Sequence, residues 1–238
     1  MMPPLTSARE RARERARGPH VVTVVGAGAG NLKATVALNL AAALAAHGER
    51  VALREHSGVV AATLGVPASG PVALPRAPGV GAPAPVLALL DGDGPAGEAT
   101  VVVVDPPARL DAVTRDAILA ADVVIVPVDA TPLAVRVLRE VADVVRSAAP
   151  AGAPRLRVTL ARLLPRAVDR WTLVEQVTEL APDALFHASI PMARRASGRG
   201  APAPRALLYA PGTGAAAAYG ALAAELLRTL TPPRDPAS

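Results

Sequence analysis

The chain has 238 residues, enough for one large domain or two small ones with a substantial core. It contains no cysteine, which excludes a disulfide scaffold and any cysteine-ligated zinc or iron–sulfur centre and suits a reducing interior. A formal net charge of +5 favours polyanionic partners such as nucleic acid, although heavy use of Ala, Pro, Arg and Gly, as a GC-rich genome imposes, accounts for part of that basicity. No apolar run approaches the roughly 20 residues that span a bilayer, and the arginine-rich amino terminus has no apolar signal segment. The expectation is a cytoplasmic protein without a membrane partner.

In chain order, residues 1–20 include SARERARERARG, with five arginines and two glutamates in a helix-permissive run. Such a stretch is either a solvated, frayed terminus or a basic arm that touches DNA or a partner. Residues 21–44 read VVTVVGAGAGNLKATVALNLAAAL. The run 21–25 predicts a buried strand, Gly26, Gly28 and Gly30 a tight loop, and 34–46 a helix. A second strand is expected at 51–54. Residues 67–97 carry too many prolines and glycines for a packed helix and read as a long connection with one apolar island at 86–90.

Beyond that connection, 100–104 is a β-branched run that ends in Asp105, as a central parallel strand with an acid at its carboxyl end would. Further strands are expected at 123–128, 156–160 and 185–190, and helices at 111–121, 132–148, 170–180 and 215–230. The helix over 132–148 is predicted to bury Leu133, Val137, Val141 and Val144. This alternation implies an α/β fold, a mostly parallel, doubly wound sheet in one domain over 21–230, with 231–238 as a flexible tail.

A strand, glycine loop and helix in succession aim backbone N–H groups and the positive end of a helix dipole at one point, which suits a phosphate. Two chemistries use such a unit. In a P-loop, Lys33 reaches the phosphates from the first turn of the helix, and Lys33 is the only lysine among 25 basic residues. In a dinucleotide fold, Gly26 and Gly28 form a partial fingerprint and Glu55 holds a ribose hydroxyl. That second pattern is weaker, because its third glycine falls on Asn31 and Glu55 lies 29 positions after Gly26 instead of about 20.

The stretch resembles the deviant Walker A region of ParA/MinD-type ATPases, roughly KGGxGK[ST]T followed by ALNLAAAL. Aligned on VALNLAAAL, Lys33 takes the place of the P-loop lysine, Gly30 of a loop glycine and Thr35 of the second hydroxyl. Three positions depart from the pattern. Gly28 stands where the family has the lysine that reaches across its dimer interface, Leu32 where it has glycine, and Ala34 where it has the hydroxyl that ligates Mg²⁺. Asp105 aligns with the Walker B aspartate of a DxPP block, followed without gaps by AADVVIVPV. Glu55 aligns with the first aspartate of the DxD block, which orients the attacking water, and Ser57 replaces the second. Apart from the resemblance, Asp105 also reads as a helix N-cap and Glu55 as a surface residue at a strand end.

The longest match is IPMARRASGRGAPAPRALLYAPGTGAAAAYGALAAELL, residues 190–227, which follows the family's block from IPR through the base-binding loop to a GAAAYxxLAxEL helix. Pro191, Tyr209 and Tyr219 fall in place, while Gly198 and Arg199 stand where the family has a Glu-Ala pair. The resemblance implies a P-loop NTPase fold and a homodimer with ATP or ADP sandwiched between subunits. The nucleotide contacts it implies are Gly26, Gly28, Gly30, Asn31, Lys33, Thr35 and Pro191. Glu55 and Asp105 would be the catalytic acids, with Mg²⁺ held through Asp105.

Relatives that bind DNA without sequence preference use arginines at positions matched by Arg170 and Arg195, with Arg194, Arg199 and Arg205 adding charge nearby. A merely solvated set of arginines is the other reading. The function expected is that of a ParA-like partition or positioning protein for a plasmid or chromosome, nucleoid-associated and served by a ParB-like partner. A catalytically inactive scaffold or DNA-binding protein is the alternative, and an NAD(P)-dependent enzyme the third. The departures at Gly28, Leu32 and Ala34 predict weak nucleotide binding and very slow or absent hydrolysis.

Overall fold

Three runs of β-branched residues build the centre of the sheet: β1 (His20–Val24), β5 (Val101–Asp105) and β6 (Val123–Val128). β5 and β6 are buried at every position. Strands that are apolar on both faces are stable only when helices cover both sides, which is the parallel-sheet arrangement. β1 lies between the other two, with Val22 opposite Val103 on one side and Val123 on the other.

The computed structural model describes residues 18–26, 32–73, 86–92, 94–148, 153–163, 169–191 and 214–230. The remaining strands are β2 (Val51–Glu55), β3 (Gly70–Ala73), β4 (Val86–Asp91), β7 (Arg155–Leu163) and β8 (Ile190–Pro191). Together they form one eight-stranded sheet in the order β3-β4-β2-β5-β1-β6-β7-β8. Every neighbour pair is parallel except β3 with β4.

The helices are α1 (Leu32–Ala46), α2 (Val59–Leu64), α3 (Ala112–Ala120), α4 (Pro132–Ser147), α5 (Asp169–Leu180) and α6 (Gly214–Leu230). Because side chains alternate along a strand, Val22, Val24, Val103 and Ile125 pack under α1 and α6, while Val124, Val126, Val128 and Val158 pack under α3, α4 and α5. α1 is buried nearly all round. It has the sheet on one side and α6 on the other, so its sequence needs no polar stripe.

Most predicted elements are present, with ends shifted by up to three residues; α1 begins at Leu32 instead of 34, and β7 ends at Leu163 instead of 160. The Pro/Gly-rich connection over 67–97 is corrected. It contributes two strands: β4, built on the apolar island, pairs in parallel with β2, and β3 returns antiparallel along the sheet edge. Pro71 is tolerated there because an edge strand has one side free of partners. The predicted face of α4 is also corrected. Ala134, Leu138, Val141, Ala142 and Val144 are buried, whereas Leu133 is exposed and Val137 half-buried. Thr131 caps the helix by accepting from the Ala134 N–H, Pro132 follows as the first residue, and the apolar stripe that meets the sheet starts one residue later than predicted. The strand expected at 185–190 narrows to β8, with a lone parallel bridge from Leu185 to Val158.

No described helix is long and apolar enough to cross a membrane. The carboxyl ends of β1, β2 and β5 lie at one edge of the sheet, the edge where open α/β sheets bind ligands.

Candidate nucleotide site

Lys33 sits in the first turn of α1, directly after the glycine loop that leaves β1. Its ammonium does not face solvent; it donates to Asp105 Oδ1 and to the carbonyl oxygen of Pro106. Lys33 is 8 % exposed and Asp105 is 0 % exposed, so the pair is withdrawn from water. Gly26 makes the approach possible. A Cβ there would stand 3.1 Å from Lys33 Cβ and 3.7 Å from Pro127 Cγ, so any side chain would press on the lysine stem.

Burial pushes the Asp105 carboxyl above the ordinary carboxylate range. The charge and hydrogen bond of Lys33 act against that rise, Glu55 adds to it and His56 offsets it slightly. Asp105 Oδ2 is buried with no hydrogen-bond partner among the described residues. Asp105 is not a helix cap: that part falls to Asp111, which accepts from the Thr114 N–H at 3.0 Å at the start of α3.

Glu55 stands beside Asp105 in register at the end of β2, and it is 7 % exposed, not a surface residue. Its carboxylate accepts from the backbone N–H of Val60, from that of Ala61 at 3.1 Å, and from the Ser57 hydroxyl at 3.1 Å. It therefore anchors the amino end of α2, and Ser57, at the second position of the DxD-like block, serves the same anchor. Sequence reasoning missed this use. A strand-ending acid followed two residues later by serine and then by a short helix was the available signal.

The structure thus brings Gly26, Lys33, Asp105 and Glu55 together at one edge. Thr35 is half-buried in the same turn, and its carbonyl accepts from Asn39 Nδ2 at 2.8 Å. Pro191 is exposed at the end of β8, separated from β1 by β6 and β7. Arg170 is exposed in the first turn of α5. Gly28, Gly30, Asn31, Arg194, Arg195 and Arg199 lie outside the described residues.

The strand order separates the two readings of the glycine loop. In a dinucleotide fold the second strand lies next to the first, so that its terminal acid meets the ribose. Here β5 lies between β1 and β2, and the Glu55 carboxylate is engaged by α2. This arrangement removes the structural basis for Glu55 as a ribose ligand.

Neither a protein-family model nor a curated protein matches the chain. Solved structures do. Cobyrinic acid a,c-diamide synthase from Mycobacterium smegmatis, with bound ATP analog and magnesium, superposes with a TM-score of 0.66 at 20 % identity over 91 % of this chain and 97 % of that one. MinD from Pyrococcus horikoshii, complexed with Mg-ADP, gives 0.61 at 18 % over 90 % and 98 %. The ParA of pNOB8, bound to nonspecific DNA, gives 0.62 at 15 % over 90 % and 99 %. The chain has the ParA/MinD-type P-loop fold.

Within that fold, a buried lysine and the acid of the neighbouring strand suit a phosphate at the loop, since Lys33 supplies the charge and Gly26 the close approach. The fit to magnesium is poor. Position 34, which the resemblance aligns with a hydroxyl ligand, is an alanine, Asp105 Oδ1 is engaged by Lys33, and Asp105 Oδ2 is the one free carboxylate oxygen of the pair. No cluster of three or more metal-ligating side chains occurs among the described residues.

Removing one member of a buried ion pair leaves the other charge stranded, whereas replacing both with apolar groups is often neutral. Lys33→Met or Asp105→Leu alone should each cost about 3 kcal/mol in urea unfolding, and the double variant much less than the sum of the two. The Lys33→Met loss should also grow with pH. A carboxyl raised in the folded state binds its proton there more readily than when unfolded, so stability falls as pH rises above the ordinary value near 3.8. Single variants costing under about 1 kcal/mol would show that the pair is not the buried contact described.

Proposed function

We propose that this ParA/MinD-like chain is a partition or positioning protein that binds adenine nucleotide weakly, dimerises, and binds duplex DNA without sequence preference. The observation that carries the nucleotide half is the Lys33–Asp105 pair, set beside the loop at the carboxyl edge of the central strands. A phosphate entering that loop competes with Asp105 for the ammonium. Binding therefore has to offset the loss of an existing charged contact, which keeps the affinity low. Magnesium, when bound with nucleotide, neutralises phosphate charge. No protein hydroxyl at Ala34 assists it here.

A catalytically inactive relative of the same fold, acting as a scaffold, has one specific observation in its favour. The acid aligned with the water-orienting position, Glu55, is committed to α2, where its carboxylate accepts from the backbone N–H groups of Val60 and Ala61. Phosphate release should accordingly be very slow or absent. The solved neighbours with bound ADP or an ATP analog support the nucleotide half, and the neighbour bound to nonspecific DNA supports the DNA half. A ParB-like partner, a homodimer and a nucleoid location complete the proposal.

Calorimetric titration with ATP, ADP and NAD, each with and without Mg²⁺, tests the first half. Weak binding of the adenine di- and triphosphates is expected, with little gain from Mg²⁺ and complete loss in Lys33→Ala. Preference for NAD would overturn the P-loop reading.

For the DNA half, log affinity for a random duplex should fall linearly with log salt. Arg170→Ala with Arg195→Ala should flatten that slope by about two phosphate contacts, each contributing roughly 0.9. An unchanged slope would return both arginines to the solvated surface.

A further inference from the structure

The face of the sheet over β2, β4 and β5 that lies away from α1 and α6 is thinly covered. Ala52, Val102 and Val104 form a small core there, and Ala88, Leu90, Ala96 and Ala99 pack against it while remaining partly exposed. Of the described helices, α1, α2 and α6 pack on the opposite face, and α3 reaches this one through Ala117. A sheet of this kind is stable with helices on both sides, so this part of it lacks a full cover.

A groove of about 520 Å³ lies over these residues at the amino edge of the sheet. Glu49 and Arg50, just before β2, and Glu98, just before β5, supply its charge. Arg50 donates to the Glu98 carbonyl oxygen at 2.7 Å, and the Glu49 carboxylate accepts from the Thr100 hydroxyl at 2.6 Å through one oxygen. Glu98 itself is exposed. The groove therefore suits an occupant that is apolar on one side and basic beside it.

One segment of this chain has that character. Residues 1–17 lie outside the described residues, and 7–19 read SARERARERARGP. Ser7 followed by Glu10 is a helix start and Gly18 with Pro19 a stop, so the sequence predicts a helix over 8–17. Ala8, Ala12 and Ala16 recur on one face of it. Arg9 and Arg13 flank that face on one side and Arg11 and Arg15 on the other, with Glu10 and Glu14 opposite. A helix this short is marginal alone in water and needs a surface to pack on. The segment joins β1 beside the groove: the His20 N–H donates to the Thr100 carbonyl oxygen at 2.9 Å, and Thr100 directly follows Ala99. From β1 across β5 and β2 to β4 is three strand spacings, roughly 14 Å, and a helix over 8–17 is about 15 Å long.

We infer that residues 8–17 dock in this groove as a helix laid across the amino edge of the sheet, with alanines against Ala88, Leu90, Ala96 and Ala99 and arginines toward Glu49 and Glu98. Small side chains on both sides allow close approach. The charge of the segment is then held at the edge opposite Lys33, and away from Arg170, which heads α5 at the carboxyl edge.

The chain has no cysteine, so a pair of introduced cysteines reports one contact without background. In the full chain, Ala12→Cys with Ala96→Cys should be bridged internally by a short bismaleimide about tenfold or more faster than Ala12→Cys with Ser147→Cys, at a rate independent of protein concentration. Ser147 is exposed at the end of α4, at the same edge on the other side of β1, and measures random encounter. Glu98→Lys should slow the first bridge about threefold, as a reversed charge in an exposed pair would. Ala8→Glu with Ala16→Glu should remove its advantage over the control by putting charge on the apolar face. Circular dichroism checks that each variant is folded.

Equal bridging of the two pairs would overturn the docking, and so would an advantage that survives both sets of charge changes. A bridge that forms only between chains and rises with protein concentration would overturn docking within the chain and place the segment on a second copy.

Discussion

A carboxylate without access to water is tolerable only beside a counter-charge, and Asp105 has that in Lys33. The pair joins the start of α1 to the end of β5, the two elements that flank the glycine loop of β1. It therefore does structural and chemical work with the same atoms. The lysine that would hold a phosphate on the proposed reading is also the group that neutralises the central acid of the sheet, so ligand and fold would compete for it.

That competition, and the commitments around it, distinguish this chain from an efficient nucleotide-hydrolysing site. Glu55 is at the right strand end but holds the first turn of α2, Ser57 reinforces it, and Ala34 offers a methyl group instead of an oxygen. What remains is a cation, a close backbone approach at Gly26 and one free carboxylate oxygen on Asp105. Such a set can hold an anion, and it provides little with which to activate water.

Much of the fold is legible in the sequence because its strands are extreme. Runs such as VVVVD and VVIVPV have no other stable use than a sheet covered on both faces. β4 is hidden because its six residues, VLALLD, follow a stretch of proline and glycine that masks the strand signal. Its identity depends on pairing with β2, a contact no local pattern reveals. The exposure of Leu133 is equally hard to read, because a helix with valine or leucine at seven of its sixteen positions shows several candidate stripes, and the packing against the sheet selects among them. At the site, the importance of Lys33 is visible in its being the only lysine, but its attachment to Asp105 and Pro106 is not. The role of Glu55 is hidden for the same reason: whether an acid faces water or a helix end depends on where the chain goes next.

The uniqueness of Lys33 also makes the buried pair directly observable. Labelling the chain with ¹⁵N-lysine yields a single side-chain amine signal, which should be protected from exchange in the free protein by its contacts with Asp105 and Pro106. Addition of ADP should shift that signal as the ammonium passes from carboxylate to phosphate, and NAD should leave it unchanged. A signal that exchanges freely in the free protein, or one that does not move at saturating ADP, would contradict the dual role of Lys33 as counter-charge to Asp105 and as phosphate ligand.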